Sequence, residues 1–344
     1  FLLELNEMRP IFEDENYIDY ELHEKDVIVQ TVGSWQNNPT SVVGKVVRVP
    51  YFLEGALLNQ NAVKIMPAEG IDNNFLFYRL KTEEFKGHVL GEARGAANQA
   101  SITLDTIKSF GFLIPDCLTQ KKIGNILSKY DELIENNRKQ IKLLEEAAQR
   151  LYKEWFVDLR FPGYEDCKIV DGVPVEWKKK KLDEIADVIM GQSPKSEFYN
   201  KEHKGLPFHQ GVGSYGARFV QDDTYSTSFT KVAEANSILF SVRAPVGRLN
   251  ITKNKIVIGR GIAAINSKSG FQSYLFYALK ERFFKDDILG NGAIFASISK
   301  NELLNQVFVI PDEKIMSAYE KIAAALDKKI EVVDMQLQQL VEAR

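Results

Sequence analysis

Apolar positions fall into two kinds of pattern along this chain, and both kinds occur twice. Short runs rich in β-branched residues, Val27–Val32, Val42–Val49, Ala62–Ile65 and Phe112–Ile114, predict strands separated by Gly, Asn and Pro clusters, with one helical segment near Asn74–Glu84. From residue 121 to 156 the pattern changes to alternating spacings of four and three. Ile123, Leu127, Tyr130, Ile134, Asn137, Ile141, Leu144, Ala148, Leu151 and Trp155 make a heptad seam sustained for over four repeats. Leu326, Ile330, Val333, Leu337 and Leu340 repeat that spacing near the end of the chain. Two heptad helices in one chain most simply pair with each other; two separate core helices are the alternative, though these usually show a wider apolar face. Asn137 sits on the seam, where a polar side chain fixes register at some cost in stability.

The strand-rich segments are also copies. Leu76-Phe77-Tyr78 returns as Leu275-Phe276-Tyr277, Ala100-Ser101-Ile102 as Ala296-Ser297-Ile298, and Phe112-Leu113-Ile114-Pro115 as Phe308-Val309-Ile310-Pro311. An offset near 200 residues is too long for a solenoid and marks a duplicated domain, which predicts two similar surfaces related by a pseudo-two-fold. Matching Ile123 to Ile322 and Asp26 to Asn236 leaves the first copy without a counterpart of residues 177 to about 210, so its start is expected to be incomplete. The segments expected are a first β-rich domain (1–119), a helical region (120–160), a turn-rich linker (161–176), a second β-rich domain (177–312) and a final helix (313–344). The fold class is therefore α+β.

Composition narrows the function classes. The chain has 344 residues and a net charge of −3, but the charge is unevenly spread. Residues 1–119 carry ten Lys and Arg against seventeen Asp and Glu, a net −7; residues 177–312 carry nineteen against thirteen, a net +6. The basic second domain suits a polyanionic partner. No apolar run reaches the roughly 18 residues of a membrane span, and Cys117 and Cys167 lack metal-ligand spacing, which predicts a reduced, cytoplasmic protein without a metal site. There is no GxxxxGK[ST] or GxSxG motif; Gly259-Arg260-Gly261 lacks the third glycine of a dinucleotide loop, and Pro311-Asp312-Glu313-Lys314 crowds its acids and Lys too closely for a nuclease centre. The chain reads as non-catalytic. What it does carry is Arg, Asn and Gln on Gly-rich turns, the side chains that pair with guanine and adenine edges while Gly admits close backbone approach. These candidates are Gln192, Ser193, Gln210, Arg243, Arg248, Arg260 and Asn291 in the second copy, and Asn59, Gln60, Arg94, Asn98 and Gln99 in the first.

The block Tyr152-Lys153-Glu154-Trp155-Phe156-Val157-Asp158-Leu159-Arg160-Phe161-Pro162-Gly163-Tyr164 resembles the central region of type I restriction–modification specificity subunits. Ile126-Leu127-Ser128-Lys129-Tyr130-Asp131-Glu132-Leu133 is similar to the same family, as are Trp177, Ile185-Ala186-Asp187 and Gly191-Gln192-Ser193-Pro194. The resemblance implies two target recognition domains separated by two long antiparallel helices, each domain reading half of a bipartite site on double-stranded DNA. It also implies two methyltransferase subunits docked on the helical region, with Tyr152, Trp155 and Phe156 as candidate anchors, and restriction subunits joined through the complex. S-adenosylmethionine, ATP and magnesium are then expected in the partners, with no cofactor in this chain. A helix from Lys121 to Arg150 would be roughly 45 Å long, the length of about 13 base pairs, which places half-sites about one turn of DNA apart. The rival reading is a coiled-coil adaptor joining two protein-binding domains.

Overall fold

The computed structural model describes residues 15–35, 42–96, 99–284 and 297–344. They form two compact units, one made of residues up to Asn136 together with Gln339–Arg344, the other of Asn137–Gln338. The division falls within both long helices, so each unit includes a portion of each.

In the first unit, Val27–Gln30 is the middle strand of a three-stranded antiparallel sheet, flanked by Val46–Arg48 and Ala62–Ile65. The β-branched faces of these strands bury Val27 and Val29 against two helices, Asn73–Leu80 and Glu83–Glu92. The expected single helix near Asn74–Glu84 is broken at Lys81-Thr82, because the Thr82 hydroxyl accepts from the Phe85 amide and starts a new helix. A second ladder joins Val32–Gly33, Gln99–Ser101 and Arg94–Ala96. Phe112–Ile114, expected as a strand, forms none, and Leu113 is 95% exposed. Its copy in the second unit, Val307–Ile310, is a strand because Lys178–Lys181 pairs with it, and the first copy has no counterpart of that lysine segment among the described residues.

The second unit has the same frame, with more strands among the described residues. Ile238–Ser241 lies between Leu249–Ile251 and Ile262–Ser267, and Ala186–Met190 completes the four-stranded antiparallel sheet. Ile238 and Phe240 face the helix Gln272–Phe284, while Leu239 faces a five-stranded mixed sheet, so this strand is buried on both sides. In that second sheet Leu206–His209 runs parallel to Ile256–Ile258.

Matching hydrogen bonds align the two units more closely than the residue types do. The Lys25 amide donates to the Val49 carbonyl (2.9 Å) and the Asn236 amide to that of Thr252 (2.7 Å); Lys25 and Asn236 both have positive φ, 70° and 66°. Lys25, not Asp26, therefore matches Asn236. Gly44 and Gly247 (φ 77° and 88°) likewise donate to Gln30 and Ser241. The long helices match through their caps: Asp116 accepts from the Thr119 amide and Asp312 from that of Ile315. Ile123 thus corresponds to Tyr319 and not to Ile322.

The central helix runs from Cys117 to Phe156 and the final helix from Glu313 to Ala343. Within the second unit they pack antiparallel: Tyr152 meets Tyr319 near one end, and Ile141 and Leu144 join Ile330, Val333 and Leu337 towards the other. Asn137 is buried. The turn-rich linker contains a small hairpin, Ile169–Val170 with Val173–Pro174, closed by Asp171 and Gly172 at φ 51° and 74°. Positive φ at both central residues is the primed turn that matches strand twist.

Candidate functional site

Four turns converge where the two sheets of the second unit meet. Gly259-Arg260-Gly261 links Ile256–Ile258 in one sheet to Ile262–Ser267 in the other. The turn after Ala186–Met190 is laced to it: the Gly191 amide donates to the Ile262 carbonyl and the Gln192 amide to that of Ile258, both 2.9 Å, and the Arg260 amide reaches Ser193 Oγ at 3.3 Å. From the next strand, the His209 carbonyl accepts from the Gly259 amide (2.8 Å) and that of Gln210 from the Gly261 amide (3.0 Å). The fourth turn is tied by the Val242 amide, which donates to the Gly261 carbonyl at 2.9 Å. Such close backbone approach is why these positions are glycine. A Cβ on Gly191 would strike the carbonyls of Gly259, Ile258 and Ile262; one on Gly261 would strike that of Gln210; one on Gly259 would lie 2.9 Å from the Gln210 Cα.

Between these turns is an open recess of about 130 Å³ lined by Gln210, Gly211, Val212, Ser241, Arg243, Ala244 and Gly261. Gln192, Gln210, Arg243 and Arg260 are exposed around this junction, and Ser193 is half-buried. Arg248 stands apart: it is half-buried, and its amide donates to Ser241 Oγ (2.8 Å). Asn291 lies outside the described residues.

Sequence reading missed His209, which is 1% exposed. Its Nδ1 is 2.8 Å from Ser214 Oγ and its Nε2 2.9 Å from Asp222 Oδ1, so one ring fixes both the turn after Gln210 and the following segment. A lone His between Phe208 and Gln210 gave no signal, because its partners lie five and thirteen residues on.

The first unit repeats part of this frame among its described residues. Thr31 donates to the Asn61 carbonyl (2.8 Å), as Val242 does to Gly261, and Ile102 donates to the Thr31 carbonyl as Ile298 does to that of Val242, both 2.9 Å. Asn59, Gln60, Arg94 and Gln99 are exposed, the first two on the turn that ends at Asn61 and the others on the hairpin paired with Val32–Gly33. Asn98 lies outside the described residues.

The model of the type I restriction modification DNA specificity domain matches residues 12–146 and 174–343. The chain belongs to the type I restriction–modification specificity family. It is 32% identical to the MjaX specificity subunit of Methanocaldococcus jannaschii over 96% of this chain and 78% of that one. To the MjaIX specificity subunit of the same organism it is 26% identical, over 79% of this chain and 66% of the relative. The crystal structure of the S subunit from M. genitalium, 18% identical, shares the fold with a TM-score of 0.62 over 94% of this chain and 82% of that one. The chain is a non-catalytic specificity subunit.

Within this specificity subunit the three aromatic candidates for partner contact lie in the core of the second unit. Tyr152 and Trp155 are 7% and 8% exposed, and Phe156 is partly buried. Phe156 packs on Tyr274 and Tyr319 at ring distances of 5.0 and 4.9 Å, and Phe161 on Trp177 at 5.0 Å. Burial pushes the Tyr152, Tyr274 and Tyr319 hydroxyls well above the usual tyrosine range. On the same helix as Tyr152, Lys142, Glu145, Glu146, Gln149 and Arg150 line a recess of about 320 Å³ with Lys280.

Each unit also fastens its sheet-covering helix to a long helix through a tyrosine. The Tyr78 hydroxyl donates to Asp131 at 2.7 Å and the Tyr277 hydroxyl to Asp327 at 2.8 Å. A guanidinium lies over the aromatic pair in both, Arg48 4.1 Å from the Phe77 ring centre and Arg218 3.8 Å from that of Phe276. Arg48 comes from the strand itself; Arg218 also pairs with Asp327 and, at 3.8 Å, with Glu145. Among the described residues no group of three or more His, Cys, Asp or Glu is placed to hold a metal ion, and no helix is long and apolar enough to cross a membrane.

Proposed function

We propose that this specificity subunit reads a bipartite site on double-stranded DNA, one half with the turns of each unit, and holds two methyltransferase subunits on its long helices. Restriction subunits join through that complex. S-adenosylmethionine, ATP and magnesium act in the partner subunits, in a cytoplasmic assembly. The observation that carries the reading is the convergence of four glycine-bearing turns on one junction of the basic second unit, with Gln192, Gln210, Arg243 and Arg260 exposed around it. Turns held by a rigid sheet are where nucleotide-reading side chains gain most, since little conformational entropy is lost on contact. In the first unit the equivalent readers are Asn59, Gln60, Arg94 and Gln99. Docking of methyltransferase subunits is assigned to the polar face outside Tyr152, Trp155 and Phe156, with the buried rings holding that face in place.

Methylation-site sequencing of a strain carrying the whole system gives the target. The assembled methyltransferase complex is then titrated with the full site and with duplexes altered in either half. Loss of binding on altering each half is the expected result. A complex that binds all duplexes alike would leave the chain as an adaptor and overturn the proposal.

A further inference from the structure

We infer that the recess beside Arg243 is a guanine subsite, which rests on the DNA-reading role proposed above and names the base that this part of the second unit recognises. Arg243 directly follows Val242, whose amide donates to the Gly261 carbonyl and whose carbonyl accepts from the Ile298 amide, each at 2.9 Å. Its own backbone bridges Ser297. The arginine therefore starts from a fixed point at the end of the central strand, not from a free loop. Its side chain is exposed and has no partner among the described residues. Neither Arg248 nor Arg260 lines the recess.

The lining favours a base edge over a phosphate. Arg243 is its one charged residue; the rest is the Gln210 amide, the Ser241 hydroxyl, two glycines and the small apolar side chains of Val212 and Ala244. The Ser241 hydroxyl is spent on the Pro245 carbonyl (2.6 Å) and the Arg248 amide (2.8 Å), so it offers little to an incoming anion. A phosphate on the outer ridge of DNA is met by several cations or a run of free amides. A concave, mostly neutral recess with one guanidinium fits a flat acceptor edge instead. Guanine presents O6 and N7 side by side in the major groove, the pair that an arginine fork bridges with two parallel bonds. Adenine offers only N7 as an acceptor there, and its amino group opposes a guanidinium. The exposed Gln210 amide, with both a donor and an acceptor, stands beside this pair to read the neighbouring position.

The test uses the assembled complex and duplexes carrying the sequenced target. Each guanine of the half-site read by the second unit is replaced in turn by 7-deazaguanine, which keeps pairing but lacks N7. One position should weaken wild-type binding, and Arg243→Ala should weaken it by roughly 5–150-fold on the unmodified duplex. The same 7-deazaguanine should then cost the Arg243→Ala complex nothing further, and Arg243→Lys should keep the salt dependence without recovering discrimination. Additive losses at every guanine, a half-site without guanine, or an Arg243→Ala complex weakened equally on all duplexes with a salt slope lower by about one would overturn the guanine assignment, the last marking a phosphate contact. Those results leave half-site reading intact. A wild-type complex indifferent to the half-site would instead defeat the underlying proposal.

Discussion

Arg218→Met tests how the second recognition unit is held to its helices. The Arg218 side chain is 2% exposed, pairs with Asp327, stands 3.8 Å from Glu145 and lies 3.8 Å from the centre of the Phe276 ring. Methionine keeps most of the volume and the contact with the ring but takes the guanidinium away from two carboxylates, leaving the Lys280 charge to act on both. Removing one partner of a buried ion pair costs about 3–5 kcal/mol. Because the Glu145 and Asp327 side chains are 23% and 21% exposed, water recovers part of that, and about 2–4 kcal/mol is expected. For a unit of this size that corresponds to a fall in Tm of about 4–16 °C. The readout is denaturation followed by tryptophan fluorescence, since Trp155 and Trp177 are both in the core of this unit. Burial holds the Glu145 carboxyl above its usual range, and Arg218 draws it back down. In the variant it rises further, so the folded state takes up a proton more readily than the unfolded chain. The charged form is the costly one above that folded pKa, and the deficit of Arg218→Met should shrink as the pH is lowered through it. Adding Asp327→Asn, which can still accept from Tyr277, should restore part of the loss. A single variant within about 0.5 kcal/mol of wild type, or a double variant that simply adds the two losses, would refute this account of the network.

Trp155→Ala removes a core ring and should cost the second unit about 3–5 kcal/mol in the same assay; unchanged stability with lost co-purification of the methyltransferase would return Trp155 to the partner surface. Gly261→Ala places a methyl group against the Gln210 carbonyl and should cost about 1–3 kcal/mol through displaced turns. It should also weaken discrimination in one half-site only, which competition with half-altered duplexes measures. His209→Leu removes the hydrogen bonds to Ser214 and Asp222 and should cost about 1–3 kcal/mol; it should relax the same half-site that responds to Gly261→Ala, and a loss spread over both halves would separate His209 from the reading turns.

Much of the architecture was legible in residue order. Heptad spacing marks a helix whatever surrounds it, because 3.6 residues per turn puts positions three and four apart on one face. The repeated Leu-Phe-Tyr triplet and the Pro before each long helix marked the duplication, and glycine marked the turns, since backbone can approach that closely only where no Cβ stands. The alignment of the two copies was less legible. Asp26 looked like the match for Asn236, yet the hydrogen bonds choose Lys25, because backbone pairing and not residue type defines the frame. Phe112–Ile114 had strand composition and no strand, since a ladder needs a partner and, among the described residues, the lysine segment that supplies one occurs in the second unit.

What tertiary structure alone decided was which polar residues act together. Gln192, Gln210, Arg243 and Arg260 are spread over 69 positions and are neighbours only because two sheets meet at Gly259–Gly261. Tyr152 and Trp155 have the composition of a partner surface, but the second unit fills its core with them, because the rings of Tyr274 and Tyr319 are brought from distant segments to pack on them. Local pattern follows from the geometry of the chain itself; the destination of a side chain depends on contacts that only the folded sheets and helices create.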